Sequence, residues 1–336
     1  MGWLYYLLIF SLSCSLTWVL RRYAFVAKML DIPNHRSSHV SPTPRGGGLS
    51  FVFCFLISVL FLLESQFLSF TLAVALLVAG FLIALIGFLD DRNGIPVKWR
   101  LIGHFIASSF ALYSLGGMPS ITLFYWTLAA GLTANILAVF YLVWLLNLYN
   151  FMDGIDGLAA VEAITVCLGG VVLYYLSGMY SAAILPLSLA VSVAGFLFWN
   201  FPPAKIFMGD AGSGFLGLVL GILSIQAAIM KANLFWAWMI LLGVFIVDAT
   251  VTLLLRGMRG EVFFEAHRSH AYQHASRYYG NHLPVTLGIL IINLLWLFPM
   301  ALAVGFDLIN GSLAMLIAYL PLFILTLKFK AGKREN

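Results

Sequence analysis

Residues 69–91 read SFTLAVALLVAGFLIALIGFLDD, an uncharged run over 69–89 closed by the pair Asp90-Asp91. About 20 apolar residues, rising about 1.5 Å each, cross the hydrocarbon core of a bilayer. The stretch therefore predicts a membrane-spanning helix that ends on two carboxylates. Hydrophobic residues fill 62% of the 336 positions and charged residues only 9%, against about 25% charged in soluble domains. A chain so poor in charge cannot coat a surface that faces water. Similar runs recur near 3–20, 49–63, 101–115, 124–146, 158–177, 181–199, 214–230, 234–255, 284–304 and 311–327. Of these, 49–63, 101–115 and 214–230 are short for a span. The expectation is an all-α, polytopic integral membrane protein with about 10–11 transmembrane helices. Without a repeat or a linker, residues 1–336 read as one integral membrane domain.

The run at 3–20 has no positive residue before it and Arg21-Arg22 directly after it. A secretory signal has the opposite order, so this run reads as an uncleaved span with the amino terminus outside. Alternating the spans from there puts 17 of the 18 Lys and Arg residues on one side, with Lys231 alone on the other. Positive residues mark the cytoplasmic side. Most acidic residues fall on that side too, Glu64 and Asp307 excepted, and all seven histidines lie on or near it. The expected active site is therefore on cytoplasmic loops. The net charge of +5 follows from this topology and does not call for nucleic acid, which needs a basic face on a soluble module. Cys14, Cys54 and Cys167 lie inside apolar runs and read as small core residues, with neither a disulfide frame nor a metal site.

Four of these loops carry chemistry. Asp90 and Asp91 repel each other at a helix end, and a cation or a shared proton would relieve them. The loop Asn147-Leu148-Tyr149-Asn150-Phe151-Met152-Asp153-Gly154-Ile155-Asp156-Gly157 offers oxygen-only donors, which suit a hard cation such as Mg²⁺; an Asx turn capping the next helix is the alternative. In Phe207-Met208-Gly209-Asp210-Ala211-Gly212-Ser213, Asp210 stands where a helix would start. Free N–H groups there, with Ser213, would cradle phosphate. The loop from Arg256 to His274 includes Arg268-Ser269-His270-Ala271-Tyr272-Gln273-His274. His270 and His274, four apart, would share a helix face as a metal pair, or with Arg268 grip phosphate or sugar. Asp248 lies inside a span and is a functional candidate by position, against an internal hydrogen bond to Thr250 or Thr252.

Taken in order, Pro42-Thr43-Pro44-Arg45-Gly46-Gly47-Gly48, Asp90-Asp91, the Asn147–Gly157 loop, Phe207–Ser213 and the histidine loop resemble the polyprenyl-phosphate N-acetylhexosamine-1-phosphate transferases, glycosyltransferase family 4. The resemblance implies attack of undecaprenyl phosphate on the β-phosphate of a UDP-N-acetylhexosamine, with release of UMP, at a bacterial inner membrane. It also implies Mg²⁺, with Mn²⁺ as a substitute, and a homodimer. By the same resemblance Asn150 and Asp210 hold the metal, and Asp90, with Asp91 beside it, orients or deprotonates the lipid phosphate. Asn147, Asp153, Asp156 and Phe207 face the nucleotide. His267, Arg268 and His270 hold diphosphate and sugar, with Thr43, Arg45, Lys98 and Arg100 as phosphate contacts. After His270 this chain has Ala271-Tyr272-Gln273 where N-acetylglucosamine-phosphate transferases have further histidines. Its form looks like O-antigen-initiating enzymes that take 6-deoxy-N-acetylhexosamines such as N-acetylfucosamine or N-acetylquinovosamine. Two rival classes fit less well. A CDP-alcohol phosphotransferase would need an Arg soon after Asp153-Gly154, where Ile155-Asp156 stands, and a transporter would line a path across the bilayer with polar groups.

Overall fold

The computed structural model describes residues 2–27, 29–32, 42–261 and 268–333. Its helices are α1 (Trp3–Val26), α2 (Leu49–Glu64), α3 (Phe70–Val74), α4 (Gly80–Asn93), α5 (Val97–Ser114), α6 (Leu132–Met152), α7 (Leu158–Leu176) and α8 (Tyr180–Asn200). They continue with α9 (Asp210–Met230), α10 (Ala232–Leu241), α11 (Gly243–Gly257), the short α12 (Ala271–Tyr279), α13 (Leu283–Ile292), α14 (Phe298–Gly305) and α15 (Gly311–Lys328). π-helical turns at Ala75–Ala79 and Asn293–Leu297 join α3 to α4 and α13 to α14. Each of the eleven apolar runs is helical, as expected of backbone that must satisfy itself in lipid. Among the described residues, eight helices are long and apolar enough to cross a membrane, and a ninth if α10 and α11, bent by 70°, form one span.

Two boundaries differ from the sequence reading. The run at 124–146 becomes helical only at Leu132. Before it, Ile121–Leu123 (β3) pairs antiparallel with Trp126–Leu128 (β4), a hairpin that turns at Phe124 with φ +54°. The run at 214–230 begins earlier, at Asp210, because a first helical turn tolerates an acidic residue that a span's middle would not. The shorter β1 (Leu30–Asp31) and β2 (Thr43–Pro44) also pair antiparallel.

α9 is the axis of the bundle. Nearly all of it is buried, and it packs on α6, α4 and α10. Glycines set the approach: a Cβ on Gly48 would meet Gly212 Cα at 2.6 Å, and one on Gly87 would meet the Ala211 nitrogen at 2.5 Å. These two contacts bring the ends of α2 and α4 against the first turn of α9. At the opposite end of the bundle Lys231 pairs with Asp307 at 2.6 Å. Hydrogen bonds from Lys231 and Asn233 hold the Asp307 carboxyl below the usual carboxylate range. The lone Lys and one of the two acidic outliers of the loop sorting are thus partners.

The bend between α10 and α11 leaves backbone groups without helical partners, and sequence spacing does not indicate what lies against them. Beside the bend is Glu162 of α7, fully buried and close to the Phe245 N–H, whose carboxylate accepts the Asn293 amide at 2.6 Å. Asn293 opens the second π turn and also donates to Thr165 at 2.7 Å. One carboxylate therefore ties the second π turn to α7 and lies against the α10–α11 bend. Glu162→Leu removes the acceptor of the Asn293 amide and should cost about 1–3 kcal/mol, read as a lower unfolding midpoint in detergent; an unchanged midpoint would show that the π turn holds without it.

Candidate active site

The site assembles where four segments meet at one end of the bundle. The strand-like segment Pro44–Gly48 runs beside Phe207-Met208: Phe207 N donates to Pro44 O at 2.8 Å, Gly47 N to Phe207 O at 2.9 Å, and Gly48 N to Met208 O at 2.9 Å. This ladder delivers Arg45 to the start of α9. There Asp91, at the end of α4, accepts from the Asp210 N–H at 3.0 Å and the Ala211 N–H at 3.4 Å. Gly209 precedes the helix with φ +80°; it supplies no capping side chain, and a Cβ there would meet Asp91 Oδ2 at 2.5 Å. The carboxylate of another helix thus caps α9, satisfying its first donors and its positive end.

The sequence reading placed a phosphate cradle on these N–H groups. The structure corrects it: Asp91 takes two of them, and the Gly212 and Ser213 N–H groups go to the Gly209 carbonyl. The Ser213 hydroxyl donates to the same carbonyl at 3.2 Å and accepts from Asn150 Nδ2 at 3.0 Å.

Two guanidiniums link the carboxylates. Arg45 binds Asp91 at 2.8 Å through Nε and Asp210 through its other arm. Arg100, in the first turn of α5, binds Asp90 and approaches Asp210 Oδ2 at 3.5 Å. Asp90 also accepts from the Ile95 N–H at 2.6 Å, which fixes the tight α4–α5 connection. Burial alone would favour loss of the Arg45 proton, but Asp210, Asp91 and Asp31 outweigh it and hold Arg45 above its ordinary value. Asp153 follows α6. Burial first, then the charges of Asp210, Asp91 and Asp156, push its carboxyl well above the usual range, with Arg45 pulling the other way.

Asn147 and Asn150 lie on one face of α6. Asn150 turns its amide nitrogen to Ser213, and Asn147 turns its own to the Val143 carbonyl at 2.7 Å. Asp156 is a clasp: it accepts from Ala204 N–H at 3.0 Å and lies 3.2 Å from His282 Nδ1. Thr43 is buried in β2, and Phe207 keeps a half-exposed ring beside it in the ladder. Lys98 is exposed and joins none of these contacts.

The histidine loop reaches the site through Asp248. Its carboxylate accepts the Ala271 and Tyr272 N–H groups, both at 2.9 Å, and the Thr252 hydroxyl at 3.0 Å, and lies 3.4 Å from His270 Nδ1. Asp248 therefore seats α12, with Thr252 as partner as one sequence reading had it; Thr250 instead accepts from Trp144 at 3.3 Å. His270 is buried at the start of α12, where its N–H donates to the Gln273 side chain. Tyr272 reaches across to donate to the Phe151 carbonyl at 2.9 Å. Arg268 is half-buried and its carbonyl accepts from Arg277 at 3.0 Å; His267 lies outside the described residues. Among the described residues no group of three or more His, Cys, Asp or Glu side chains converges as a metal cage.

Sequence reasoning missed several supports. Asn200 accepts the Gly157 N–H at 3.0 Å and donates to the Ile206 carbonyl at 2.9 Å, joining two site loops. Its position at the end of a span was the available signal. Glu162 and His104 had none beyond being polar in apolar surroundings, and Tyr272, inside the histidine loop, had none for its contact with the turn after α6.

A helical membrane protein that gathers carboxylates and guanidiniums at the ends of its spans is built to handle charged groups at a bilayer surface. Residues 73–228 match glycosyl transferase family 4, a stretch holding Asp90, Asp91, Asn150 and Asp210 but neither Arg45 nor the histidine loop. A Bacillus subtilis protein named as a probable undecaprenyl-phosphate N-acetylglucosaminyl 1-phosphate transferase is 32% identical over 290 residues, covering 84% of this chain and 79% of that one. A Mycobacterium tuberculosis decaprenyl-phosphate N-acetylglucosaminephosphotransferase is 37% identical over 224 residues, 58% of this chain and 53% of its own length. A Streptococcus pneumoniae phospho-N-acetylmuramoyl-pentapeptide-transferase is 29% identical over 234 residues, 67% and 69% of the two chains. The chain belongs to glycosyl transferase family 4 and is a transferase.

Because Asp91 caps α9 and Asp210 caps nothing, Asp91→Ala should lower stability by about 1–2 kcal/mol, and Asp210→Ala by less. Unfolding midpoints of the two purified variants test this; equal losses would remove the cap from Asp91.

Proposed function

We propose that this protein transfers an N-acetylhexosamine 1-phosphate from a UDP-sugar to a polyprenyl phosphate at the cytoplasmic face of a bacterial inner membrane. An oxygen of the lipid phosphate attacks the β-phosphorus, the bond bridging the two phosphates breaks, and UMP leaves with the bridging oxygen. The observation that carries this reading is the pair Arg45 and Arg100, both bound to Asp210 with Asp90 and Asp91. Phosphoryl-type transfer calls for positioning and charge neutralisation more than for covalent groups.

The donor set fits a divalent cation. Asp90, Asp91, Asp153 and Asp210 against two guanidiniums leave a formal excess of two negative charges, and burial first, then the neighbouring carboxylates, raises the Asp153 carboxyl. All the donors are oxygen, the preference of Mg²⁺, which binds through one or two carboxylates plus waters and substrate phosphates and needs no all-protein cage. Asp210 and the Asn150 oxygen would hold it. When bound, Mg²⁺ neutralises charge on the diphosphate. Arg45 and Arg100 would then turn from carboxylate to phosphate oxygens, for which a guanidinium fork is suited. Asp90 orients the lipid phosphate, which is already ionised near pH 7 and needs little deprotonation. Asp153 and Phe207 face the nucleotide, and Arg268 and His270 the sugar.

For the sugar, Ala271, Tyr272 and Gln273, all buried, leave the α12 start less polar than a set of histidines would, which favours a 6-deoxy-N-acetylhexosamine and a role in O-antigen initiation. A pocket built for a hydroxyl rejects the deoxy analogue because buried polar groups are left unpaired, and the converse pocket is less polar. The Bacillus and Mycobacterium relatives, by their names, favour N-acetylglucosamine as the second reading.

Purified protein with Mg²⁺, undecaprenyl phosphate and a panel of UDP-N-acetylhexosamines should release UMP, fastest with a 6-deoxy donor. UMP from UDP-N-acetylglucosamine alone would overturn the deoxysugar choice, and no UMP from any donor would overturn the transferase. EDTA and Asp210→Ala should each abolish release while the protein stays folded in the membrane; full activity in either would remove the cation from Asp210.

A further inference from the structure

Next to Asp210, on the side facing the bundle interior, lies a cavity of about 10 Å³. Its polar lining is Arg100, His104, Asn147, Asn150 and Asp210, and the remainder is glycine and aliphatic side chain. That is about the space one water requires, and such a water needs two to four polar partners. His104 is the member with no role so far. It is only 6% exposed, and its Nδ1 has no hydrogen-bond partner. It stands one turn after Arg100 on α5, so the two share a helix face, and its ring is within hydrogen-bonding reach of the Asn147 side chain. A buried polar atom with no partner is uncommon in a folded protein.

We propose that His104 is a positioning residue for the cation site, acting through one ordered water that joins its Nδ1 to Asn150 and Asp210. This rests on the reading of Asn150 and Asp210 as cation ligands. Those two already have protein partners, Asn150 in Ser213 and Asp210 in Arg45 and Arg100. The water and His104 would add a further hold from the cavity. Groups that orient metal ligands from behind set affinity nearly as firmly as the ligands do. Direct ligation by His104 fits less well, because a hard cation prefers oxygen and the imidazole suits softer metals.

The test is Mn²⁺ binding to the full-length protein in detergent, followed by electron paramagnetic resonance without substrate, so that turnover does not enter. His104→Leu should weaken Mn²⁺ binding by about 10–100-fold with no fall in the unfolding midpoint, and His104→Gln, which keeps a polar reach into the cavity, should recover most of the loss. Binding by His104→Leu within about twofold of wild type overturns the proposal. If the leucine variant does not fold, His104→Ala serves in its place, with the same two outcomes. Wild-type protein that binds no Mn²⁺ overturns the cation reading itself, which separates that failure from failure of the His104 role alone.

Discussion

The capping of α9 by Asp91 is the contact on which the site depends. A helix buried along nearly its whole length must begin somewhere, and its first N–H groups need acceptors in a setting with little water. Here the acceptor comes from α4. That choice forces Asp90, the next residue back, to the same place, and brings Asp210 within reach of both guanidiniums. The concentration of charge is thus a product of how the bundle closes. Arg45 completes it from outside the stretch that matches the family, its segment carried in by three backbone hydrogen bonds.

Much of this was legible in the chain. Apolar runs marked every helix of the bundle except the short α12, because hydrocarbon admits few other residues. Asp90, Asp91, Asn150 and Asp210 stood out because polar groups between spans are few. The capping role of Asp91 was not legible: a carboxylate that caps a helix over a hundred residues away leaves no local pattern. The same holds for the expected phosphate cradle at Asp210, which local sequence supports and tertiary contact removes.

Buried polar residues divide along a similar line. Asp248 drew notice as an intramembrane acid, and its part proved to be seating α12 for the histidine loop. Glu162, equally acidic and more deeply placed, passed unnoticed inside an apolar run, yet it holds a π turn through Asn293 and lies beside the α10–α11 bend. Irregular backbone in a membrane protein needs a side chain to answer for it, and which one answers is set by packing that sequence spacing does not reveal.

The contact between Tyr272 and the turn after α6 has a consequence for how such chains diverge. Tyr272 donates to the Phe151 carbonyl, and its hydroxyl fills the space where a Cβ on residue 154 would stand. Gly154 and Tyr272 are therefore halves of one fitting, far apart in sequence. A lineage that gives up the tyrosine frees position 154 to vary, and one that keeps it must keep the glycine. The turn after α6 and the histidine loop would then be inherited as a linked pair, and exchanging either alone between relatives would set the two out of register.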